Sequence, residues 1–245
     1  MEQKTKGEMT MKRRLLTGLA VGVTVLGWVV MAEANLIKNA SFEIVPNTNT
    51  GQGILPTDWV NIPPPTPTAD TYSNDGSYGL LPSANGNFTG VAAYDGIRWV
   101  AGWSAEGQES FGQWLDVPLI IGTSYDMSGW LHQAVRSDLN YSGGYEIFLT
   151  NTPGVQAEYL GFLGPTTSVS AGWEQYSFSF TATAAMTGLN FLEFAPIVTA
   201  GSGSAYPGLD MVSLTATSVP EPATVLLMSA GLGVVGLARA RRKKN

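Results

Sequence analysis

The sequence predicts an all-β sandwich, on three observations. Between Asn35 and Val219, short runs alternate apolar and polar residues with a period of two. Clusters of Gly, Pro, Asn, Asp and Ser interrupt these runs about every ten residues, the punctuation of a many-stranded antiparallel fold. Helical periodicity appears nowhere in this stretch. At about 185 residues it is long enough for one domain with its own core. The absence of cysteine removes disulfides, thiol nucleophiles and thiolate metal sites together.

Taken in order, Asn35 to Glu43 reads as the opening strand, with Leu36, Ala40 and Phe42 on one face. Val45 to Asp75, which contains Pro63-Pro64-Pro65, reads as a long extended surface loop. Phe88 to Tyr94 and Ile97 to Trp103 flank Asp95-Gly96, a pair favoured in two-residue hairpin turns, and so read as a hairpin. In Gln108 to Val117, Phe111, Leu115 and Val117 share a face and leave Trp114 on the other. Tyr125, Met127 and Leu131 alternate in the same way against Asp126, Trp130 and His132. Gly144 to Thr150, Tyr159 to Leu163, Glu174 to Thr181 with Tyr176, Phe178 and Phe180 inward, Leu189 to Ala195 and Leu209 to Ala216 complete about ten strands.

The two ends differ from the body. Lys12-Arg13-Arg14 precedes the apolar run Leu15 to Met31, and Ala32-Glu33-Ala34 supplies small residues flanking a cleavage position. This is the pattern of a secretory signal peptide over residues 1–34, cut by signal peptidase after Ala34; the other reading is a permanent signal anchor. At the far end Val219-Pro220-Glu221-Pro222 is followed by the uncharged run Ala223 to Ala238 and then by Arg239, Arg241, Arg242, Lys243 and Lys244. As a helix that run covers roughly 24 Å, enough to span a bilayer if the flanking basic side chains snorkel. Basic residues border both apolar runs, so the body between them is expected outside the inner membrane. That body holds three basic residues, Lys38, Arg98 and Arg136, against 15 acidic ones, a net charge near −12 that repels nucleic acid.

The tail, residues 219–245, resembles the PEP-CTERM sorting signal of exported bacterial proteins, with motif, short glycine-containing apolar helix and basic cluster in the right order. The resemblance implies recognition and cleavage by exosortase, a membrane-embedded protease and transpeptidase, and delivery to the envelope or an extracellular polysaccharide matrix. The body, residues 35–218, resembles the galactose-binding-like jelly rolls of carbohydrate-binding modules. The likeness rests on Asn35-Leu36-Ile37 through Asn39 to Glu43, the Pro56-to-Trp59 turn, Gln113 to Val117 with Gly122 to Tyr125, Gly172-Trp173, and the closing Leu209 to Leu214. It implies a single jelly-roll domain, terminal strands lying together, and a structural Ca²⁺ held by Glu43 and Asp210 with backbone carbonyls. The acidic composition suits a cation that takes six to eight oxygens; the alternative is a pair of ordinary strand-end carboxylates.

Candidate sugar-binding residues follow from alternation. Sugars pack C–H faces on indole and phenol rings while polar side chains take their hydroxyls. Trp114, Trp130 and His132 fall opposite the inferred core stripe with Asp126 beside them, and Trp99 and Trp103 belong to the preceding hairpin. Three functions stay open: non-catalytic binding of extracellular polysaccharide, a passive hydrated or glycosylated matrix protein, and a polysaccharide hydrolase or lyase. The third is expected least. The sole histidine has no nucleophile elbow around it, and carboxylate pairs such as Glu106 with Glu109 or Glu146 with Glu193 can be chosen freely.

Overall fold

In a computed structural model of the chain, residues 34–47, 49–62, 68–105, 108–200 and 203–217 are described. All fall in one unit, Ala34–Asn245. Ten strands form: β1 (Val60–Asn61), β2 (Asp70–Ser73), β3 (Arg98–Ala101), β4 (Phe111–Trp114), β5 (Ser124–Gln133), β6 (Gly143–Thr150), β7 (Glu158–Leu163), β8 (Glu174–Thr181), β9 (Phe191–Val198) and β10 (Pro207–Ala216). They make two five-stranded sheets, β1-β4-β9-β6-β7 and β2-β3-β10-β5-β8, called here the first and second sheet. All ladders between named strands are antiparallel. The expected all-β sandwich is what forms. Among the described residues no helix is long and apolar enough to cross a membrane, and both apolar runs of the termini lie outside those residues.

Period-two alternation drives the main core. Phe111, Tyr145, Ile147, Leu149, Leu192 and Phe194 of the first sheet meet Val100, Tyr125, Met127, Leu131, Leu209 and Leu214 of the second. Phe111 stacks on Phe194 with centroids 5.5 Å apart, a pair that fixes β4 against β9. On the edge strand β8, Tyr176, Phe178 and Phe180 point inward as expected, and their polar neighbours face out. Phe42 and Trp59 close one end, 4.8 Å apart.

Three stretches differ from the sequence reading. Asn35 to Glu43 is not a strand. Asn39 turns the chain: its side chain accepts from the Ile44 N–H and donates to the carbonyls of Ile44 and Thr57, and Phe42 sits at a φ of +62°. Asn35 still ties this segment to β10, accepting from the Leu214 N–H and donating to the Val212 carbonyl. The Pro-rich stretch is not all loop, because it contributes β1 and β2.

Phe88 to Tyr94 forms no strand either. Asp95-Gly96 does turn, with Gly96 at a φ of +63°, but β3 pairs with β2 instead of with the segment before the turn. The long connection from β2 to β3, residues 74–97, folds over the outer face of the second sheet. There Phe88, with Leu80, Val91 and Ala93 against it, builds a second apolar cluster with Tyr72, Trp99, Ala101, Ala134, Leu139 and Tyr206.

Candidate functional site

The sequence-derived aromatic candidates separate onto three places. Trp99, on the outer face of β3, is fully buried in the second cluster, stacked on Tyr72 and edge-on to Trp173. Such a ring has no free face for a sugar. His132 is buried between Phe88 and Trp173, with Nδ1 2.6 Å from the Gln133 carbonyl. Burial pushes its pKa below the ordinary histidine value, so the ring is neutral at neutral pH. Trp130 lies flat against Tyr94, centroids 3.8 Å apart. Asp126 is exposed farther along β5, where it accepts from the Ser179 hydroxyl across the ladder to β8.

Trp114 stands on the other side of the molecule. The outer face of the first sheet carries Trp114 at 42% exposure and Tyr159 at 54%. Trp114 packs edge-on against Phe191, and Phe148 against Tyr159, at 5.0 and 5.6 Å. Register puts Gly112, Glu193, Phe148 and Tyr159 in one cross-strand row and Ala195, Glu146 and Phe162 in the next. Glu193 is buried within the row and accepts from the Gly154 N–H; burial raises its pKa.

Trp103 lines the third place, a cavity of about 610 Å³ walled by Asp70, Asn87, Glu109, Arg136 and Tyr206. Asp70 opens β2, and Tyr206 immediately precedes β10. A directed run of hydrogen bonds ends on Asp70: Asn87 Nδ2 donates to the Tyr72 hydroxyl, Tyr72 to Tyr206, and Tyr206 to Asp70 Oδ2 at 2.8 Å. The Gly53 N–H donates to Asp70 Oδ1 at 2.6 Å. Glu109 Oε2 accepts from the Trp103 N–H at 2.8 Å, and the Glu109 N–H donates back to the Trp103 carbonyl. Burial, and then repulsion from Asp70, pushes Glu109 up to about 8, so it holds its proton at neutral pH. Burial raises Asp70 as well. Sequence reasoning named Trp103 here, and Glu109 only as one of many acids. Its suggested partner Glu106 lies outside the described residues.

Glu43 and Asp210 do converge, but around a turn of the chain. Asp210 Oδ2 accepts from the N–H groups of Tyr94 and Asp95, and Oδ1 from that of Met211. Glu43 Oε1 accepts from the N–H groups of Ile97 and Arg98 at 2.7 Å each, and Oε2 meets the Arg98 guanidinium at 3.2 Å. Positive N–H ends and an arginine occupy the space that a cation would need, so this donor set does not fit Ca²⁺. Among the described residues no three His, Cys, Asp or Glu side chains are grouped to hold a metal.

Comparison with known families decides the tail. Residues 218–243 match the family described as PEP-CTERM protein-sorting motif. The chain carries a PEP-CTERM sorting signal. That signal implies an exported precursor, anchored in the membrane and processed by exosortase. No curated protein matches the sequence. Solved structures that resemble the chain include the CBM22-1 xylan-binding domain from Paenibacillus barcinonensis Xyn10C, at 12% identity over 77% of this chain and 97% of that one, TM-score 0.44. The Stig cyclase Fisc from Fischerella sp. TAU is similar at 16% identity over 75% and 96%, TM-score 0.45. The enzymatically active domain of tailspike protein 4 from bacteriophage CBA120 is similar at 15% identity over 75% and 21%, TM-score 0.43.

Proposed function

We propose that the exported body, residues 35–218, is a non-catalytic polysaccharide-binding domain of jelly-roll type. Alternation of β4 to β6 and of β8 to β10 between the sheets supports the jelly-roll reading. Signal peptidase acts after Ala34, exosortase acts near Val219 to Pro222, and the mature domain resides in the envelope or the extracellular matrix. The observation that carries the binding function is the pair of half-exposed aromatic residues on the outer face of the first sheet, Trp114 and Tyr159, which offer ring faces to sugar C–H groups. Glu146 on the same face is placed to accept sugar hydroxyls. The only histidine, packed and tied to Gln133, supports the absence of a histidine-based hydrolytic site.

The test is affinity gel electrophoresis of the chain through neutral polysaccharides, xylan and mixed-linkage glucan among them. Retardation that disappears in the W114A/Y159A variant is expected. Mobility unaffected by every polysaccharide, or retardation preserved in that variant, overturns the assignment. One observation favours a passive matrix role instead: the outward row of β8, Gln175, Ser177, Ser179 and Thr181, is exposed and polar throughout.

A further inference from the structure

The cavity beside Trp103 is not on the aromatic face of the first sheet. Two of its walls are carboxylates less than a tenth exposed, Asp70 at 5% and Glu109 at 7%. Glu109 Oε2 takes the Trp103 N–H, whereas Oε1 has no protein partner among the described residues. Each Asp70 oxygen accepts one hydrogen bond, from Gly53 or Tyr206, and keeps further acceptor capacity. Arg136, the one cation on the wall among the described residues, is held by Asp138 through two contacts at 2.5 and 2.6 Å. Its Nη1 also reaches Asn87 Oδ1 at 3.3 Å, so the guanidinium sits at the rim, shared between Asp138 and the wall. The interior is therefore rich in acceptors and has no free positive group of its own among the described residues.

Without a ligand, the cheapest state of such buried acids is the protonated one. A neutral sugar leaves them in that state. An ammonium group supplies three donors and an opposite charge, which favours ionising one carboxyl of the pair while the other accepts as a neutral group. A hard divalent ion is less suited, because it wants six to eight oxygens and no third acid joins the pair among the described residues. The ring of Trp103 and the amides of Gln52 and Asn87 suit a hydroxylated ring better than an alkyl chain. A volume of about 610 Å³ is of small-molecule size. The strongly acidic body draws cations toward it.

We propose that this cavity is a second binding site that takes a protonated amino sugar, its ammonium shared by the Asp70 and Glu109 carboxyl groups, one of them ionised, and its ring face against Trp103. The proposal rests on reading the body as a polysaccharide-binding domain, and it adds the class of sugar. Among the described residues, the charged and titratable groups around Glu109 are Asp70, the hydroxyls of Tyr72, Tyr145 and Tyr206, and at the rim the Arg136–Asp138 pair. With the tyrosines raised by burial, the carboxyls are the groups that give up a proton when the ammonium arrives.

Titration calorimetry of the full chain in detergent, with D-glucosamine at pH 7 in two buffers of different ionisation enthalpy, tests it. Expected are binding with release of about one proton, and a dissociation constant rising roughly tenfold per pH unit between pH 7 and pH 5. E109Q is expected to weaken glucosamine at least about tenfold, and W114A/Y159A to leave it unchanged. Equal affinity for N-acetylglucosamine, equal affinity for 1,4-diaminobutane, or binding without proton release overturns the proposal. Should E109Q not fold, the proton count and pH dependence of the unmodified chain still decide. Loss of neutral-polysaccharide retardation bears only on the first sheet, so the two readings fail separately.

Discussion

The indole of Trp130 lies under the phenol ring of Tyr94, centroids 3.8 Å apart and planes within 15°. Trp130 sits on the outer face of β5, and Tyr94 on the connection between β2 and β3, so this stack is where a loop closes over a sheet. The hydrogen bonds from the Tyr94 and Asp95 N–H groups to Asp210, paired with Trp130 in the neighbouring strand, fasten the same loop from below. The outer face of the second sheet is thus partly an interior.

Truncating Phe88 tests whether the covering loop belongs to the cooperative fold. Its ring is fully buried, 4.9 Å from Tyr72 and 5.5 Å from Tyr206. Phe88→Ala is expected to destabilise the chain by about 3–5 kcal/mol in urea unfolding. A loss below about 1 kcal/mol would show that the loop packs independently of the sandwich.

The burial of Trp99 and His132 explains what the sequence could and could not reveal. Alternation puts His132 on the face opposite the core of β5, and that parity holds, whereas Trp99 is read only as part of a hairpin strand. Parity says which side a residue faces, not what lies over it, and the cover comes from Phe88, Val91 and Ala93 in a stretch with its own apolar spacing. β8 was legible because it is an edge strand with one wet face, where period two maps directly onto exposure. The cavity was not legible: Asp70 and Tyr206, joined by a 2.8 Å hydrogen bond, are 136 residues apart, and neither belongs to a local motif. Glu43 and Asp210 both bond to the turn of residues 94–98, and no sequence pattern shows that backbone N–H groups fill their oxygens.

Asp210 and Glu109 set a pH dependence of stability. Burial raises them to about 7 and about 8, far above the unfolded carboxyl values. The folded state therefore binds these protons more tightly than the unfolded chain. Their contribution is fully present below about pH 4 and is lost as pH rises through about 7 and 8. Asp138, lowered by Arg136, acts only on the acid side, below about pH 4. Between pH 5 and pH 8 the melting temperature is expected to fall. E109Q keeps a neutral group with an acceptor for the Trp103 N–H, so it should flatten this slope and change stability at pH 7 by less than about 1 kcal/mol. A wild-type melting temperature that rises over this range would contradict the assignment.

Glu43 acts through hydrogen bonds rather than through a metal. Its carboxylate accepts from two backbone N–H groups and pairs with Arg98, whose Nε is buried without a partner. Glu43→Ala is expected to cost about 2–4 kcal/mol by leaving these donors unpaired. EDTA or millimolar Ca²⁺ should leave the melting temperature of the wild-type chain unchanged, since an ion bound only to the folded state would raise it. A calcium-dependent rise that Glu43→Ala or Asp210→Asn abolishes would restore the metal site.

The tail offers the test of sorting that is independent of any ligand. The match over residues 218–243 begins just after the last described residue of the domain, Thr217, whose N–H donates to the Ser124 carbonyl. The last strand, β10, ends at Ala216, before the motif begins, and changes within the motif should not disturb it. Replacing Pro220, Glu221 and Pro222 together by alanine is expected to leave urea stability unaltered while the full-length precursor accumulates in the membrane fraction, read as a heavier band in an immunoblot. If the shortened form still appears at the wild-type rate, processing does not depend on this motif. The domain would then reach its destination by another route.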